Sequence, residues 1–147
     1  MKRKVYLLVV LFFFLLAGCS SKNQSPCNIC DFGAKSDGKT INTVFIQKAI
    51  DACHQNGGGI VVVPAGNFVT GAIRLLSNVN LHLEPGAHLT GSHDMEDYRL
   101  EDSRHGMIFA YQARNISITG EGEIDGQGSI FHINGQAHLL TDFDRKF

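Results

Sequence analysis

The apolar positions of this chain take three different spacings. Residues 5–17 (VYLLVVLFFFLLA) form an unbroken run, residues 46–53 carry apolar side chains at helical intervals, and beyond Gly59 the apolar positions alternate or come in short blocks. In the second region Ile46, Ala49, Ile50 and Cys53 fall on one helical face, while Gln47, Lys48, Asp51 and His54 take the other. Asn42 or Thr43 is expected to cap this helix, because their side-chain oxygens can accept from the free N–H groups of its first turn. Asn56-Gly57-Gly58-Gly59 ends it, since glycine enters the left-handed region without steric cost.

The third region reads as short strands. Ile60-Val61-Val62-Val63 is a continuous β-branched block closed by Pro64-Ala65-Gly66, and an apolar-rich segment follows over residues 68–75. Val79, Leu81 and Leu83 then alternate with Asn80, His82 and Glu84, a period of two that buries one face. Glu84-Pro85-Gly86 turns the chain, and Ala87 and Leu89 resume the inward row. The charged stretch 94–105 is expected to be a loop, residues 107–111 are apolar again, and Ile116, Ile118 and Ile124 repeat the alternation.

Two of these segments are copies. The segment from Asn78 to Gly91 can be laid on that from Asn115 to Gly126 with a small gap, at an offset of 37 for the leading Asn and 35 for the closing Gly. A strand–turn–strand unit recurring at this spacing points to a solenoid. In a parallel β-helix each coil rests its apolar row on the coil below, and glycine serves the tight corners. The expected fold is therefore mainly β, a right-handed parallel β-helix with one capping α-helix. An antiparallel β-sandwich is the alternative, and the scarcity of two-residue hairpin turns argues against it.

The first apolar run is an address rather than part of the fold. It has thirteen residues against the ~20 a membrane-spanning helix needs, and Lys2, Arg3 and Lys4 precede it as in an export signal. It ends in Leu16-Ala17-Gly18-Cys19, which resembles the bacterial lipobox, where the cysteine is acylated and becomes the mature N-terminus. That resemblance implies lipidation at Cys19, a tether through residue 27, and a chain anchored to a bacterial membrane outside the cytoplasm. Ser20 after the cysteine resembles lipoproteins sent to an outer membrane. The domain boundaries expected are 1–18 for the signal, 19–27 for lipidated cysteine and tether, and 28–147 for the β-helix portion.

Composition adds exclusions. Sixteen glycines and 44% hydrophobic residues suit strands broken by frequent turns, and 18% charged residues are too few for a coiled coil. Thirteen basic against fourteen acidic residues exclude a basic nucleic-acid binder on bulk charge. Loss of Lys2, Arg3 and Lys4 with the signal leaves ten basic residues, so an acidic substrate would need a local basic patch. Cys27, Cys30 and Cys53 read most simply as small buried residues. One disulfide involving Cys53, with a thiol left over, is an alternative; a zinc site lacks the second half that Cys27-x-x-Cys30 would need. The seven histidines (54, 82, 88, 93, 105, 132 and 138) show no metal-binding spacing and read as solvated surface. No metal or cofactor is expected.

Several motifs in order carry a family resemblance. They are Asp31-Phe32-Gly33-Ala34-Lys35-Ser36-Asp37-Gly38, Ala49-Ile50-Asp51-Ala52-Cys53, the segment from Gly57 to Gly66, Thr70-Gly71-Ala72-Ile73, Leu81-His82-Leu83-Glu84-Pro85-Gly86-Ala87, and the segment from Ile116 to Gly128. Together they resemble the N-terminal part of glycoside hydrolase family 28, the polygalacturonase-like pectin hydrolases, within the pectate-lyase-like β-helix superfamily. The closing Gly120-x-Gly122-x-Ile124-Asp125-Gly126-x-Gly128 favours the hydrolases, whereas the first motif is shared more widely. Ile41-Asn42-Thr43 departs from the acidic residues that relatives often carry there.

The resemblance implies an inverting, metal-free hydrolysis of α-1,4 bonds between galacturonic acid units in pectic polysaccharide. One Asp would protonate the leaving oxygen while others activate water from the opposite side. The family carries those residues in Asn-x-Asp, Asp-Asp, Gly-His-Gly and Arg-x-Lys motifs, and none is present here. Arg104-His105-Gly106 does not match, nor does the stretch around Asp142 and Asp144. Asp125 reads as a turn residue. The expectation is an N-terminal portion, inert alone, with the catalytic residues beyond Phe147. A polysaccharide lyase on the same fold and a non-catalytic carbohydrate-binding stub are the alternatives.

Overall fold

A computed structural model describes residues 25–100, 103–104, 106–128, 132–133 and 136–137. The segment expected to be an export signal, Cys19, His105, His138, Asp142 and Asp144 lie outside them. Three parallel faces make up the body. The first stacks β1 (Cys27–Asn28), β3 (Gly59–Val63), β6 (Val79–Leu83) and β11 (Ser117–Gly120). The second stacks β2 (Asp37–Ile41), β4 (Gly66–Thr70), β7 (Ala87–Gly91) and β12 (Glu123–Asp125), and the third pairs β5 (Ile73–Leu75) with β10 (Ile108–Ala110). Every pairing within these faces is parallel, which excludes the antiparallel sandwich. The chain visits the faces in turn and returns to each, as a right-handed parallel β-helix does.

The repeat offsets are the stacking registers. Asn80 pairs with Ser117 and Leu81 with Ile118, 37 positions apart, while Leu89 pairs with Ile124, 35 apart. One coil earlier Val61 lies under Leu81 and Phe68 under Leu89, so the inward rows run Val61–Leu81–Ile118 and Phe68–Leu89–Ile124. Full burial of Val61, Leu81, Phe68 and Leu89 contributes about 1.5–3 kcal/mol each. The continuous β-branched block Ile60-Val61-Val62-Val63 alternates in its burial: Val61 and Val63 face the core and Ile60 is exposed. A three-faced coil has only one inner side, so a β-branched block is split by it.

The helix α1 (Thr43–Gln55) closes one end of the core with Ile46, Ala49, Ile50 and Cys53, all buried as the periodicity requires. It stands where the first coil would carry its third-face strand. Gln47, assigned to the solvated face, bonds the backbone of Arg74 in β5 in both directions: its Nε2 donates to the carbonyl at 3.1 Å and its Oε1 accepts from the N–H at 2.9 Å. One side-chain amide thus replaces a strand along the β5 edge.

Asn42 does not cap α1 with its side chain. It is fully buried, its Oδ1 accepts from Lys35 N–H at 2.8 Å, and its Nδ2 donates to the carbonyls of Lys35 (3.0 Å) and Thr40 (2.8 Å). Thr43 Oγ1 accepts from Gly71 N–H at 2.7 Å, so both expected caps instead bind neighbouring corners. Cys27, placed in the tether by sequence, is already strand. Of the three cysteines only Cys53 is buried; Cys27 is half-buried and Cys30 exposed, against the reading of all three as buried.

In the charged stretch expected to be a loop, the described residues 95–100 and 103–104 carry regular structure. They hold a 3-10 turn, Met95–Tyr98, and a short hairpin of β8 (Arg99–Leu100) and β9 (Ser103–Arg104). Tyr98 is buried with its hydroxyl donating to Ser92 carbonyl at 2.8 Å, and Asp97 carbonyl accepts from Ala72 N–H at 3.0 Å. A second antiparallel pair joins β13 (His132–Ile133) to β14 (Gln136–Ala137).

Candidate functional site

Residues 31–33 lie at the start of the β-helix. Asp31 and Phe32 belong to a 3-10 helix (Ile29–Phe32) that ends on Gly33 at φ 103°, where a Cβ would sit 3.1 Å from the Phe45 ring. The positive φ favours glycine there, and a larger residue would also press on the Phe45 ring. At the far end the Gly120–Gly128 motif makes the corner between β11 and β12. A Cβ on Gly120, at φ 110°, would lie 1.9 Å from Leu83 carbonyl, and one on Gly122 would lie 2.7 Å from Leu83 Cβ. Gly126 and Gly128 have open space around them. Ile124 takes its place above Leu89, and Asp125 Oδ1 accepts from Gln127 N–H at 2.8 Å, closing its own turn.

The polar outer faces carry the remaining candidate chemistry. On the first face Thr119 stands over His82, its hydroxyl donating to Asn80 Oδ1 at 3.0 Å. The hydroxyl hydrogen being spent there, the 2.9 Å contact between His82 Nδ1 and Thr119 Oγ1 needs a hydrogen on Nδ1. On the second face His88 Nδ1 donates to Glu123 Oε2 at 3.1 Å; both side chains are more than half exposed, so the pair contributes only about 0–1 kcal/mol. Thr90 donates to Asn67 beside it at 3.0 Å. Asn78 and Asn115 stack at a corner with their amides joined at 3.2 Å, both at positive φ.

These ladders went unread in the sequence, where the histidines counted only as solvated surface. His54, His88 and His93 are exposed and His82 half-buried. The signal was present: the offset of 37 that aligns Asn78 with Asn115 also sets Thr119 on His82.

Several of the described carboxylates are engaged locally. Asp37 accepts from Lys39 and Thr40 N–H groups and from the Thr40 hydroxyl, which lowers its pKa to about 2. Asp51 accepts from Gln47 at 2.9 Å, Asp94 caps the 3-10 turn through Glu96 N–H, and Asp97 accepts from Ser92 Oγ. Glu96 pairs with Arg99 at 3.1 Å. Among the described residues no group of His, Cys, Asp or Glu is arranged to hold a metal ion.

Comparison with known proteins follows the same outline. Residues 27–139 match the family described as "Rhamnogalacturonase A/epimerase, pectate lyase-like". An exo-poly-alpha-D-galacturonosidase of Dickeya chrysanthemi is 42% identical over 120 residues, covering 69% of this chain and 19% of that protein. A putative glycosyl hydrolase of Parabacteroides merdae superposes with TM-score 0.67 at 37% identity, over 72% of this chain and 46% of that one. A family 28 exopolygalacturonase of Yersinia enterocolitica superposes with TM-score 0.62 at 39% identity, over 71% of this chain and 21% of that one. The chain thus spans about a fifth to a half of these relatives. A match running from β1 past the last stacked coil, on a fold built to the same plan, means that the chain belongs to the rhamnogalacturonase A/epimerase, pectate lyase-like family and is polygalacturonase-like within it.

Proposed function

We propose that this chain is the N-terminal portion of a polygalacturonase-like glycosidase that hydrolyses α-1,4-galacturonosyl bonds of pectin with inversion, and that it is inactive by itself. The observation that carries the reading is the 42% identity over 120 residues to an exo-poly-alpha-D-galacturonosidase of which the chain spans 19%. Inverting hydrolysis needs two carboxyl groups about 6.5–9.5 Å apart across the scissile bond. Among the described carboxylates, Asp37, Asp94 and Asp125 accept from backbone N–H groups of their own turns, Asp51 accepts from Gln47, and Glu123 pairs with His88. The chain then supplies the capped start of the β-helix on which substrate-facing coils stack.

The test is in two parts. The purified chain should release no reducing ends from polygalacturonate and raise no ultraviolet absorbance from an unsaturated product. Grafted in place of the matching segment of the Dickeya enzyme, residues 25–128 should yield a folded, active hydrolase. Turnover by the isolated chain would refute its inertness; a lyase product would refute hydrolysis. We further propose that Cys19 is acylated and anchors the protein to a bacterial membrane, so that Cys19→Ser should abolish metabolic labelling by palmitate.

A further inference from the structure

We propose that the capped end of the β-helix is a membrane-facing surface: the outer side of α1 and the first coil rest on an anionic bilayer, with Val44 in the headgroup layer and Lys35, Lys39 and Lys48 toward the lipid phosphates. The inference rests on acylation of Cys19. Opposite the buried stripe of Ile46, Ala49, Ile50 and Cys53, helical geometry sets Val44, Lys48, Asp51 and Gln55 on one outer row of α1. Val44 is 60% exposed, and Ile41, three residues earlier at the end of β2, is 40% exposed. Phe45 is half-buried and Lys48 Nζ lies 5.9 Å from the centre of its ring, so the stem of that lysine adds to the apolar surface while its charge stays in water. Lys35 and Lys39 are exposed on the same coil. Strands β1 and β2 are the outermost of their sheets, and no strand among the described residues stacks beyond them.

The point at which the anchor joins the fold selects this end. Ser25 and Pro26 lead directly into β1, and the seven residues between Cys19 and Cys27 extend to at most about 25 Å. A lipid on Cys19 therefore holds the first coil within that distance of the bilayer. Neighbouring strands in a sheet stand about 4.8 Å apart, so β11, three strands on from β1, lies about 14 Å farther along the axis. Charge orders the two ends in the same way. Residues 25–55 balance Lys35, Lys39 and Lys48 against Asp31, Asp37 and Asp51, and Lys22 adds to them from the tether. Residues 56–128 hold four basic against nine acidic residues. An anionic leaflet attracts lysines close to its surface and repels an acidic body. The lipid alone leaves the body free to turn, and a second contact through Val44 and the lysines fixes which end is down. The polar ladders on the later coils then stand clear of the bilayer.

The chain contains no tryptophan, so a single introduced one reports alone. Val44→Trp and Tyr111→Trp both change exposed side chains, the second on the corner that leads into β11. Each full chain is expressed with its lipid and placed on mixed phosphatidylcholine and phosphatidylglycerol vesicles whose acyl chains carry bromine, a fluorescence quencher. The Val44→Trp chain should shift to the blue and lose about half its emission, because an interfacial apolar side chain sits ~5–10 Å into the headgroup boundary. The Tyr111→Trp chain should do neither. Adding Lys35→Glu, Lys39→Glu and Lys48→Glu to Val44→Trp should restore most of the emission while the chain still floats with the vesicles. Mass spectrometry reads the lipid separately, and a product without it would overturn the anchoring and this inference together. A lipid-bearing chain that floats but is unquenched at position 44, or is quenched at position 111 instead, would overturn the orientation and leave the anchoring intact. Emission at position 44 that follows protein concentration rather than vesicles would show a second copy on this face, and would overturn it too.

Discussion

Replacing Asn42 by alanine separates two readings of one residue. If Asn42 were an ordinary helix cap, its loss would cost about 1 kcal/mol and fray the first turn of α1. The structure places its side chain elsewhere, between the Lys35 backbone and the corner joining β2 to α1. Truncation strands Lys35 N–H and the carbonyls of Lys35 and Thr40, while Val69 carbonyl keeps the Asn42 backbone N–H at 2.7 Å. Three lost bonds at about 1 kcal/mol each give a loss of about 3 kcal/mol, and full burial of the side chain keeps water from replacing it. With a urea slope of about 1–1.5 kcal/mol/M the midpoint should fall by about 2–3 M. Asn42→Asp should be worse than alanine at neutral pH, since it sets a carboxylate against the two carbonyls that now receive N–H groups. Its pKa in the folded state would be raised, so its deficit should shrink as pH falls and the carboxyl protonates. Urea unfolding followed by circular dichroism at two pH values measures both. A loss under 1 kcal/mol for alanine, or an Asp variant indifferent to pH, would refute the assignment.

Other outcomes follow from the same geometry. Gly120→Ala should strip amide-exchange protection from β11 and β12, because it meets both a positive φ and Leu83 carbonyl; Gly126→Ala, with open space, should leave protection unchanged. The Asp37 carboxyl is held at about 2 by Thr40 and Lys39 donors, so its contribution is present above its ordinary 3.8 and is lost as pH falls toward 2. Thermal midpoints of wild type and Asp37→Asn should therefore differ at pH 7 and converge near pH 2. Ile118 and Ile124 are 45% and 40% exposed at the end of their inward rows, so Ile118→Lys with Ile124→Lys should lower self-association in light scattering and leave the far-ultraviolet spectrum intact.

Periodicity carried much of this fold because a β-helix writes its geometry into sequence twice, as alternation along a strand and as recurrence between coils. The inward rows through Val79, Leu81 and Leu83 follow from the first, and the 37 and 35 offsets from the second. The shorter step between the two preceding coils went unseen. Val61 stands 20 positions before Leu81 and Phe68 21 before Leu89, but the segments share little beyond apolar side chains. Side chains that bind backbone were also missed. Gln47 and Asn42 look like a surface residue and a cap, and only the coil beneath supplies their partners.

The change of step has a structural cause that bears on where function can reside. Two residues, Gly71 and Ala72, turn β4 into β5, whereas residues 92–107 separate β7 from β10 one coil later. Nearly all the added length lies in that excursion, and it folds back onto the short corner below. Asp97 carbonyl takes Ala72 N–H, and a Cβ on Gly71 would meet that oxygen at 2.0 Å. The β10–β11 corner is likewise longer than the one beneath it, and the Gly120–Gly122 corner shorter. Corners absorb insertions while the sheets hold register, because a shift of one residue in any strand would turn its inward row to solvent. Chemistry on such a body must come from side chains that adjacent coils set above one another, as Thr119 is set on His82 and Glu123 beside His88. The described sheet faces carry hydroxyl, amide and imidazole groups in such positions, with the Glu123 carboxylate among them, while Asp37, Asp94 and Asp125 bond within their own turns.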